Sequence, residues 1–139
     1  MMHSRNLDMS FSGLKTAVIS AIDGMGGPGK IKESTVYDIF SSLRETVAEI
    51  LYKKTAEACR IYGVKTVAVS GGVSANSRIR SIFNEKGIKN GLKIIFPSVK
   101  YSTDNAAMIG YAGFFKTPVH PIENREEFLN INADPSWEL

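Results

Sequence analysis

Two short runs rich in β-branched residues constrain the fold of this chain most. The first covers residues 65–70 (Lys-Thr-Val-Ala-Val-Ser), and the second covers residues 92–96 (Leu-Lys-Ile-Ile-Phe). Each is followed by a polar or glycine-rich segment and then by a helical pattern, which predicts parallel strands joined by a right-handed crossover. Two such strands make a poor sheet, because parallel strands need cover on both faces. The sequence therefore predicts an α/β fold with an incomplete sheet.

The shortage of strands has two explanations. In the first, the sequence contains a further strand that the pattern does not reveal, either near Lys30 or in the proline-containing tail after Lys116. In the second, the missing strands belong to an upstream part of a longer parent protein. We favour the second explanation because of the family motifs described below.

The amino-terminal half of the chain predicts two helices. Ser10 or Ser12 is expected to cap a short helix that ends in the glycine-rich run at residues 24–29. Ser34 is expected to cap a longer one, since apolar residues follow it at alternating spacings of four and three. This helix is predicted to end at Gly63, a favourable residue type at that position.

The two predicted strands are each followed by a helix. The first of these is expected from about Asn76 to Lys86, with Gly87 ending it. The second, residues 104–116, is expected to be capped by Thr103. Beyond it the chain is predicted to be largely extended.

Composition bounds the class of protein. With 43% hydrophobic and 22% charged residues, the chain resembles an ordinary globular protein. No apolar run is long enough to span a membrane, and a lone cysteine, Cys59, cannot form an internal disulfide. We therefore expect a cytoplasmic protein without membrane contact. The net charge of +3 is compatible with an anionic partner such as a nucleotide or RNA, but it is common among unrelated proteins.

The segment 70–76 (Ser-Gly-Gly-Val-Ser-Ala-Asn) follows the first strand, at the edge where open α/β sheets bind ligands. Gly71 and Gly72 allow close approach of a ligand to the backbone, and free N–H groups at the helix start favour anionic oxygens. Asn76 has donors and acceptors suited to a ribose hydroxyl or a base edge. An ordinary strand-to-helix turn, capped by Ser74 or Asn76, explains the pattern equally well.

Asp104 follows the second strand in the same way. A carboxylate in the first turn of a helix is favoured by the helix dipole, which accounts for this residue without any function. The alternative is a metal ligand held beside the 70–76 segment. Spacing alone favours the helix-dipole explanation. No pairing of a nucleophile with a base is recognisable, so no catalytic residue is assigned.

Three segments together resemble one family. Residues 8–18 (Asp-Met-Ser-Phe-Ser-Gly-Leu-Lys-Thr-Ala-Val), 69–80 (Val-Ser-Gly-Gly-Val-Ser-Ala-Asn-Ser-Arg-Ile-Arg) and 101–109 (Tyr-Ser-Thr-Asp-Asn-Ala-Ala-Met-Ile) are similar to motifs of the TsaD family. These are tRNA adenosine threonylcarbamoyltransferases, formerly labelled O-sialoglycoprotein endopeptidases. The resemblance covers nearly the whole chain.

The resemblance implies a fold and a set of site residues. The fold is part of an actin-like ATPase (ASKHA, ribonuclease H-like) domain, and residues 1–139 would be its carboxy-terminal part without the upstream domain. Matching positions imply that Gly71, Gly72 and Asn76 contact an adenine nucleotide. Asp104 would be the carboxylate ligand of a divalent metal, iron or zinc. Lys15 and Asn105 match motif residues and are given supporting roles only.

The resemblance also implies an activity: transfer of a threonylcarbamoyl group from threonylcarbamoyl-AMP to the N6 amine of an adenosine in tRNA. Implied partners are threonylcarbamoyl-AMP or ATP, tRNA, a scaffold paralogue and small ATPase subunits. Family members carry a long upstream part with a His-x-x-x-His-type motif that this sequence lacks. A lone carboxylate binds a transition metal poorly. We therefore expect a truncated or split form that is inactive alone and prone to self-association.

Two alternatives differ in function class. A small-metabolite kinase of the same superfold would also use a glycine-rich adenosine loop. A non-catalytic scaffold paralogue would be expected to lack a segment like Ser102-Thr103-Asp104-Asn105, so the presence of this segment favours the catalytic lineage.

Overall fold

The structure is a computed structural model and describes residues 6–116. These residues fall into two compact units, the first ending at Asp104 and the second beginning at Asn105. The first unit contains α1 (Ser12–Gly24), α2 (Glu33–Tyr62), β1 (Thr66–Ala68), α3 (Ser77–Lys89) and β2 (Lys93–Ile95), with 3-10 turns at Gly72–Ala75 and Val99–Tyr101. The second contains α4 (Ala106–Lys116). None of the described helices is both long enough and apolar enough to cross a membrane. The predicted extended tail lies outside the described residues.

The two strands pair in parallel, as predicted. Thr66 lies opposite Lys93 and Ala68 lies opposite Ile95. Both strands are shorter than expected, although one further hydrogen bond, from the Val69 N–H to the Ile95 carbonyl (2.9 Å), continues the pairing. Within residues 6–116 the sheet has only these two strands. A strand near Lys30, the explanation that we did not favour, is not formed, since that segment is a turn.

The core lies between the sheet and two helices. It is formed by Ala48 and Tyr52 of α2 together with Ile79, Ile82 and Phe83 of α3. The Tyr52 and Phe83 rings meet edge to face with centroids 5.3 Å apart. Val69, Ile94 and Phe96 pack against this cluster from the sheet side.

The opposite face of the sheet is uncovered in the described part of the chain. Side chains alternate along each strand, so Thr66, Ala68, Lys93 and Ile95 share the other face, and all four are exposed. Parallel sheets usually bury both faces. The sheet seen here is therefore incomplete in the sense predicted from the sequence.

The predicted serine caps of the first two helices are wrong. The N-cap of α1 is Phe11 and that of α2 is Lys32, and no side chain caps either helix. The hydroxyls of Ser10 and Ser12 lie 3.0 Å apart and hydrogen-bond to each other. Ser34 lies inside α2, because the helix begins one residue before it.

The two glycines predicted to end helices have different roles. Gly63 ends α2 as predicted, with φ of 66° in the left-handed region that glycine tolerates. Gly87, by contrast, lies buried inside α3, which continues to Lys89. A Cβ at this position would come within 2.6 Å of Ile94 Cγ1. Gly87 therefore allows α3 to pack closely on β2 and does not terminate the helix.

Candidate functional site at the carboxyl edge of the sheet

Two loops leave the sheet at the same edge. Because β1 and β2 are parallel, the segments that follow them both start at the carboxyl edge. We call residues 70–76 the glycine loop and residues 97–104 the aspartate loop. Both belong to the first compact unit.

The glycine loop adopts a conformation that requires glycine at one position. Gly71 has φ of 88°, and its carbonyl accepts a hydrogen bond of 2.9 Å from the Ser74 N–H. A residue with a side chain would be strained there. Gly72 has no atom of the described residues within 4 Å of where a Cβ would lie, and both glycines are exposed. The loop thus presents bare backbone to its surroundings.

Asn76 caps the helix that follows the glycine loop. Its Oδ1 accepts hydrogen bonds from the N–H groups of Arg78 (2.9 Å) and Ile79 (3.3 Å). The expectation of free N–H groups at this helix start is therefore wrong for these two amides. The cap uses only the amide oxygen of Asn76, so its amide nitrogen, a donor, is not part of the cap. Capping and ligand contact are compatible at this residue.

Ser74 carries a buried hydroxyl inside the glycine loop. The residue is 2% exposed, and its Oγ has no hydrogen-bond partner among the residues that the structure describes. A buried hydroxyl without a partner costs free energy. Of the two caps that the sequence suggested, Ser74 and Asn76, the structure confirms Asn76.

Asp104 lies outside any helix. The final helix begins at Ala106 and has no acidic residue in its first turn, so the predicted cap at Thr103 and the helix-dipole explanation for Asp104 are both wrong. Asn105 performs the capping, because its Oδ1 accepts a hydrogen bond of 3.0 Å from the Met108 N–H. A cap nearer to the helix thus leaves Asp104 as an exposed carboxylate in the aspartate loop.

The described residues do not by themselves fit a metal centre. Across residues 6–116 no three His, Cys, Asp or Glu side chains group closely enough to hold an ion. Iron and zinc sites draw on several imidazole, thiolate or carboxylate donors. Asp104 supplies one such donor at the carboxyl edge.

Arg80 links the two loops, and the sequence prediction gave it no role. Its Nε donates to the Ser74 carbonyl of the glycine loop at 2.7 Å. Its Nη2 donates to the Pro97 carbonyl at 2.8 Å and lies 3.3 Å from the Ser102 hydroxyl, both in the aspartate loop. The guanidinium carbon lies 4.8 Å from the centroid of the Phe96 ring. One side chain therefore holds both loops.

Lys15 stands apart from this arrangement. It lies on α1, where it is exposed and where no residue is buried. The supporting role of Lys15 therefore stays a prediction.

Two ion pairs join α3 to α2. Arg78 donates to both carboxylate oxygens of Glu45, at 2.5 and 2.7 Å. These hydrogen bonds hold the pKa of the Glu45 carboxyl below its usual value and raise the pKa of Arg78. Lys86 pairs with Glu49, which lies one turn after Glu45 on α2. Because both pairs are partly exposed, they add little to the free energy of unfolding and mainly help to orient α3 on α2.

A large cavity lies at the other edge of the sheet. Its volume is about 900 Å³, and the segments just before both strands form part of its wall. The Tyr52 hydroxyl accepts a hydrogen bond of 2.6 Å from Asn90 Nδ2 beside it. None of the predicted site residues lines this cavity, and its acidic groups already pair with Lys86 and Arg60. We therefore locate the candidate site at the carboxyl edge, where the glycine and aspartate loops are.

Comparison with known proteins places the chain with one family. Residues 1–111 match the family described as TsaD, tRNA N6-adenosine threonylcarbamoyltransferase. Proteins with that name include one from Ralstonia pickettii, 35% identical over 100% of this chain and 40% of its own length. Others are from Endomicrobium trichonymphae, 49% identical over 78% of this chain and 31% of its own length, and Clostridium beijerinckii, 39% identical over 96% and 38%.

The chain spans about 40% of the length of such relatives. The match includes both loops of the candidate site. On the strength of a family match over most of its residues, the chain belongs to the TsaD family of tRNA N6-adenosine threonylcarbamoyltransferases.

Proposed function

We propose that this chain supplies the nucleotide-binding half of a threonylcarbamoyltransferase site. The observation that carries the proposal is the placement of the glycine loop and the aspartate loop at one edge of a parallel sheet, in a chain of this family. In open α/β sheets this edge is where nucleotides bind. The complete actin-like ATPase domain belongs to the proposal as well, since the described sheet has two strands.

The glycine loop is the proposed adenine-nucleotide contact. Gly71 and Gly72 expose main chain to a ligand that can approach without meeting a side chain. In this proposal the Asn76 amide nitrogen donates to a ribose hydroxyl or a ring nitrogen, which is compatible with the amide oxygen capping α3. The ligand would be threonylcarbamoyl-AMP or ATP.

The proposed reaction is acyl transfer to an amine. The N6 nitrogen of a tRNA adenosine attacks the carbamoyl carbon of threonylcarbamoyl-AMP, a C–N bond forms, and the C–O bond to phosphate breaks. AMP leaves, and the attacking amine loses a proton. The part of the chain described here holds and orients the adenylate, and we assign the proton transfer to none of its residues.

Asp104 is proposed as one ligand of an iron or zinc ion. Its exposure and its position at the carboxyl edge support this role. A single carboxylate does not make such a site, so further donors would have to come from the remainder of a longer protein. We therefore propose that this chain alone is catalytically inactive.

The proposed partners follow from the proposed activity. They are tRNA, a scaffold paralogue and small ATPase subunits of a modification complex, in the cytoplasm. The uncovered face of the sheet, which includes Ile95 at 44% exposure, also supports self-association of the isolated chain. Sedimentation at several concentrations tests this last point, and a stable monomer throughout would contradict it.

Isothermal titration calorimetry with ATP, ADP and AMP tests the nucleotide proposal. Asn76→Ala removes both the helix cap and the amide donor, whereas Asn76→Ser keeps a capping oxygen but loses the amide nitrogen and its reach. We expect weak binding by the parent chain and about tenfold weaker binding by both variants, the loss typical of one hydrogen bond to a ligand. Only Asn76→Ala should also lose thermal stability. Absence of binding by the parent chain would refute the proposal.

Two other functions remain as alternatives. A small-metabolite kinase would transfer phosphate from ATP to acetate or a sugar, and a scaffold paralogue would bind its partner without turnover. Assaying the full-length protein for phosphoryl transfer and for threonylcarbamoyl transfer separates these from the proposed function. The family match favours the transferase, because the relatives found carry that name.

A further inference from the structure

Arg80 occupies an unusual electrostatic position. It lies on the fourth residue of α3, half-buried, and hydrogen-bonds to two main-chain carbonyls and one hydroxyl. All three partners are neutral groups. Within residues 6–116 no carboxylate forms an ion pair with it, in contrast to Arg78 two residues earlier. Among the residues that the structure describes, the positive charge of Arg80 thus has no carboxylate partner.

The guanidinium geometry explains why this position requires arginine. The planar fork presents several N–H groups in fixed directions, and it keeps its charge at every accessible pH. Here Nε reaches the glycine loop while Nη2 reaches the aspartate loop. Lysine would retain the charge and the contact with Phe96, but a single ammonium on a flexible stem cannot hold both loops in this geometry.

The partners of Arg80 lie next to the proposed functional residues. Ser74 is two residues before Asn76, and Ser102, which is 2% exposed, is two residues before Asp104. Movement of either serine would therefore move a residue of the proposed site. The contacts with Arg80 connect these two places across the sheet edge.

We propose that Arg80 is the positioning residue of this site. Its guanidinium fixes the position of the glycine loop relative to the aspartate loop. What the loops bind rests on the proposed function, but the coupling between them does not. Arg80 acts through Ser74, Pro97 and Ser102, and its positive charge additionally favours an anionic ligand at the same edge.

NMR of the ligand-free 139-residue chain tests the coupling. In Arg80→Lys we expect the amide exchange rates of both Ser74 and Ser102 to rise about tenfold or more, since hydrogen bonds from a charged donor are lost on both sides. Arg78→Lys is the matched control. It makes the same chemical change on the same helix but breaks the contact with Glu45, so both loops should keep their exchange rates.

Ser102→Ala provides the second, milder variant. It removes one acceptor from Arg80, so amide shifts should change in the aspartate loop and also in the glycine loop around Ser74. The change in the glycine loop should disappear when Ser102→Ala is made in the Arg80→Lys background. A merely structural role for Arg80 would not produce this dependence.

The outcomes decide the proposal with or without a ligand. Unchanged exchange in Arg80→Lys, a response confined to one loop, or a Ser102→Ala effect that stays within the aspartate loop would each overturn it. If the parent chain binds ADP, Arg80→Lys should weaken that binding about tenfold beyond Arg78→Lys. If the parent chain binds no nucleotide, the proposed function fails, and the exchange and shift measurements still decide the role of Arg80.

Discussion

The two edges of the small sheet differ in what they offer a ligand. The amino edge opens onto a cavity of about 900 Å³, whereas the carboxyl edge carries the glycine loop, the aspartate loop and Arg80. The amino edge is concave, and its two glutamates already pair with basic side chains, Glu49 with Lys86 and Glu57 with Arg60. At the carboxyl edge, exposed glycine backbone and an exposed carboxylate lie beside an arginine without a carboxylate partner among the described residues.

On the proposed function, the site is assigned by the chemistry of its residues and not by the cavity. Binding sites are usually the largest pocket of a protein. The cavity at the amino edge is lined by residues of α2 and by the segments just before the two strands. The residues with donor and acceptor geometry are the better guide to function here.

The largest change in stability is expected for a substitution in the core on which both edges of the sheet rest. Ile82 is 1% exposed and lies at the centre of the cluster between α2, α3 and the sheet. Ile82→Ala should lower the free energy of unfolding by about 2–5 kcal/mol, because it leaves a cavity in the core. Urea denaturation measures the change. Ile88→Ala on the same helix, where the side chain is 78% exposed, should change stability by less than about 0.5 kcal/mol. Similar losses in both variants would contradict the assigned core.

The substitution Gly87→Ala should lower stability by less than Ile82→Ala, and its structural change should be larger at the amino edge than at the carboxyl edge. Gly87→Ala places a Cβ 2.6 Å from Ile94 Cγ1 and 3.5 Å from the Leu92 carbonyl oxygen, so either the Ile94 side chain or α3 must shift. Overpacking of this kind lowers the free energy of unfolding by about 1–3 kcal/mol. The higher helix propensity of alanine offsets roughly 1 kcal/mol of that loss. Thermal denaturation and amide exchange measure the outcome.

Gly13→Ala is the control for that substitution. Gly13 also lies in a helix, and no atom outside its own neighbourhood is within 4 Å of its Cβ position. This variant should be as stable as the parent or slightly more stable. A Gly87→Ala chain that gains stability in the same way would refute the close-packing role of Gly87.

The smallest effect concerns pH. The hydrogen bonds from Arg78 lower the pKa of Glu45 below 4.5, so the pair stabilises the folded chain above the unfolded pKa. That contribution is lost as the pH falls through the lower folded value. Glu45→Gln should therefore be less stable than the parent at pH 7, and the difference should shrink towards pH 3. Because the pair is partly exposed, the effect is small and should weaken in high salt. A difference that grows on acidification would contradict the assignment.

Local signals in the sequence were sufficient for several features. The β-branched runs predicted two parallel strands, Gly63 predicted the end of α2, and the Gly71-Gly72 pair predicted a loop at the sheet edge. Each of these depends on residues close in the chain. Periodicity and glycine chemistry are sufficient to recognise them.

Other features depend on contacts between distant parts of the chain. Gly87 resembles a helix end in sequence, but its role is set by Ile94 on the neighbouring strand. Arg80 was part of a matching segment, yet its partners Pro97 and Ser102 lie 17 and 22 residues away. The capping errors arose because Ser34 and Thr103 were nearby candidates of suitable type, and the actual helix starts lie elsewhere. Tertiary packing decides such cases.

Nucleotide titration followed by NMR compares the two edges most directly. Adding ADP to the labelled chain should shift the amide signals of Gly71, Gly72 and Asn76 at the carboxyl edge. The signals of Gly63 and Gly91, which line the amino-edge cavity, should stay unchanged. Shifts concentrated at Gly63 and Gly91, or no shift at the glycine loop at saturating ADP, would contradict the assignment of the nucleotide site to the carboxyl edge.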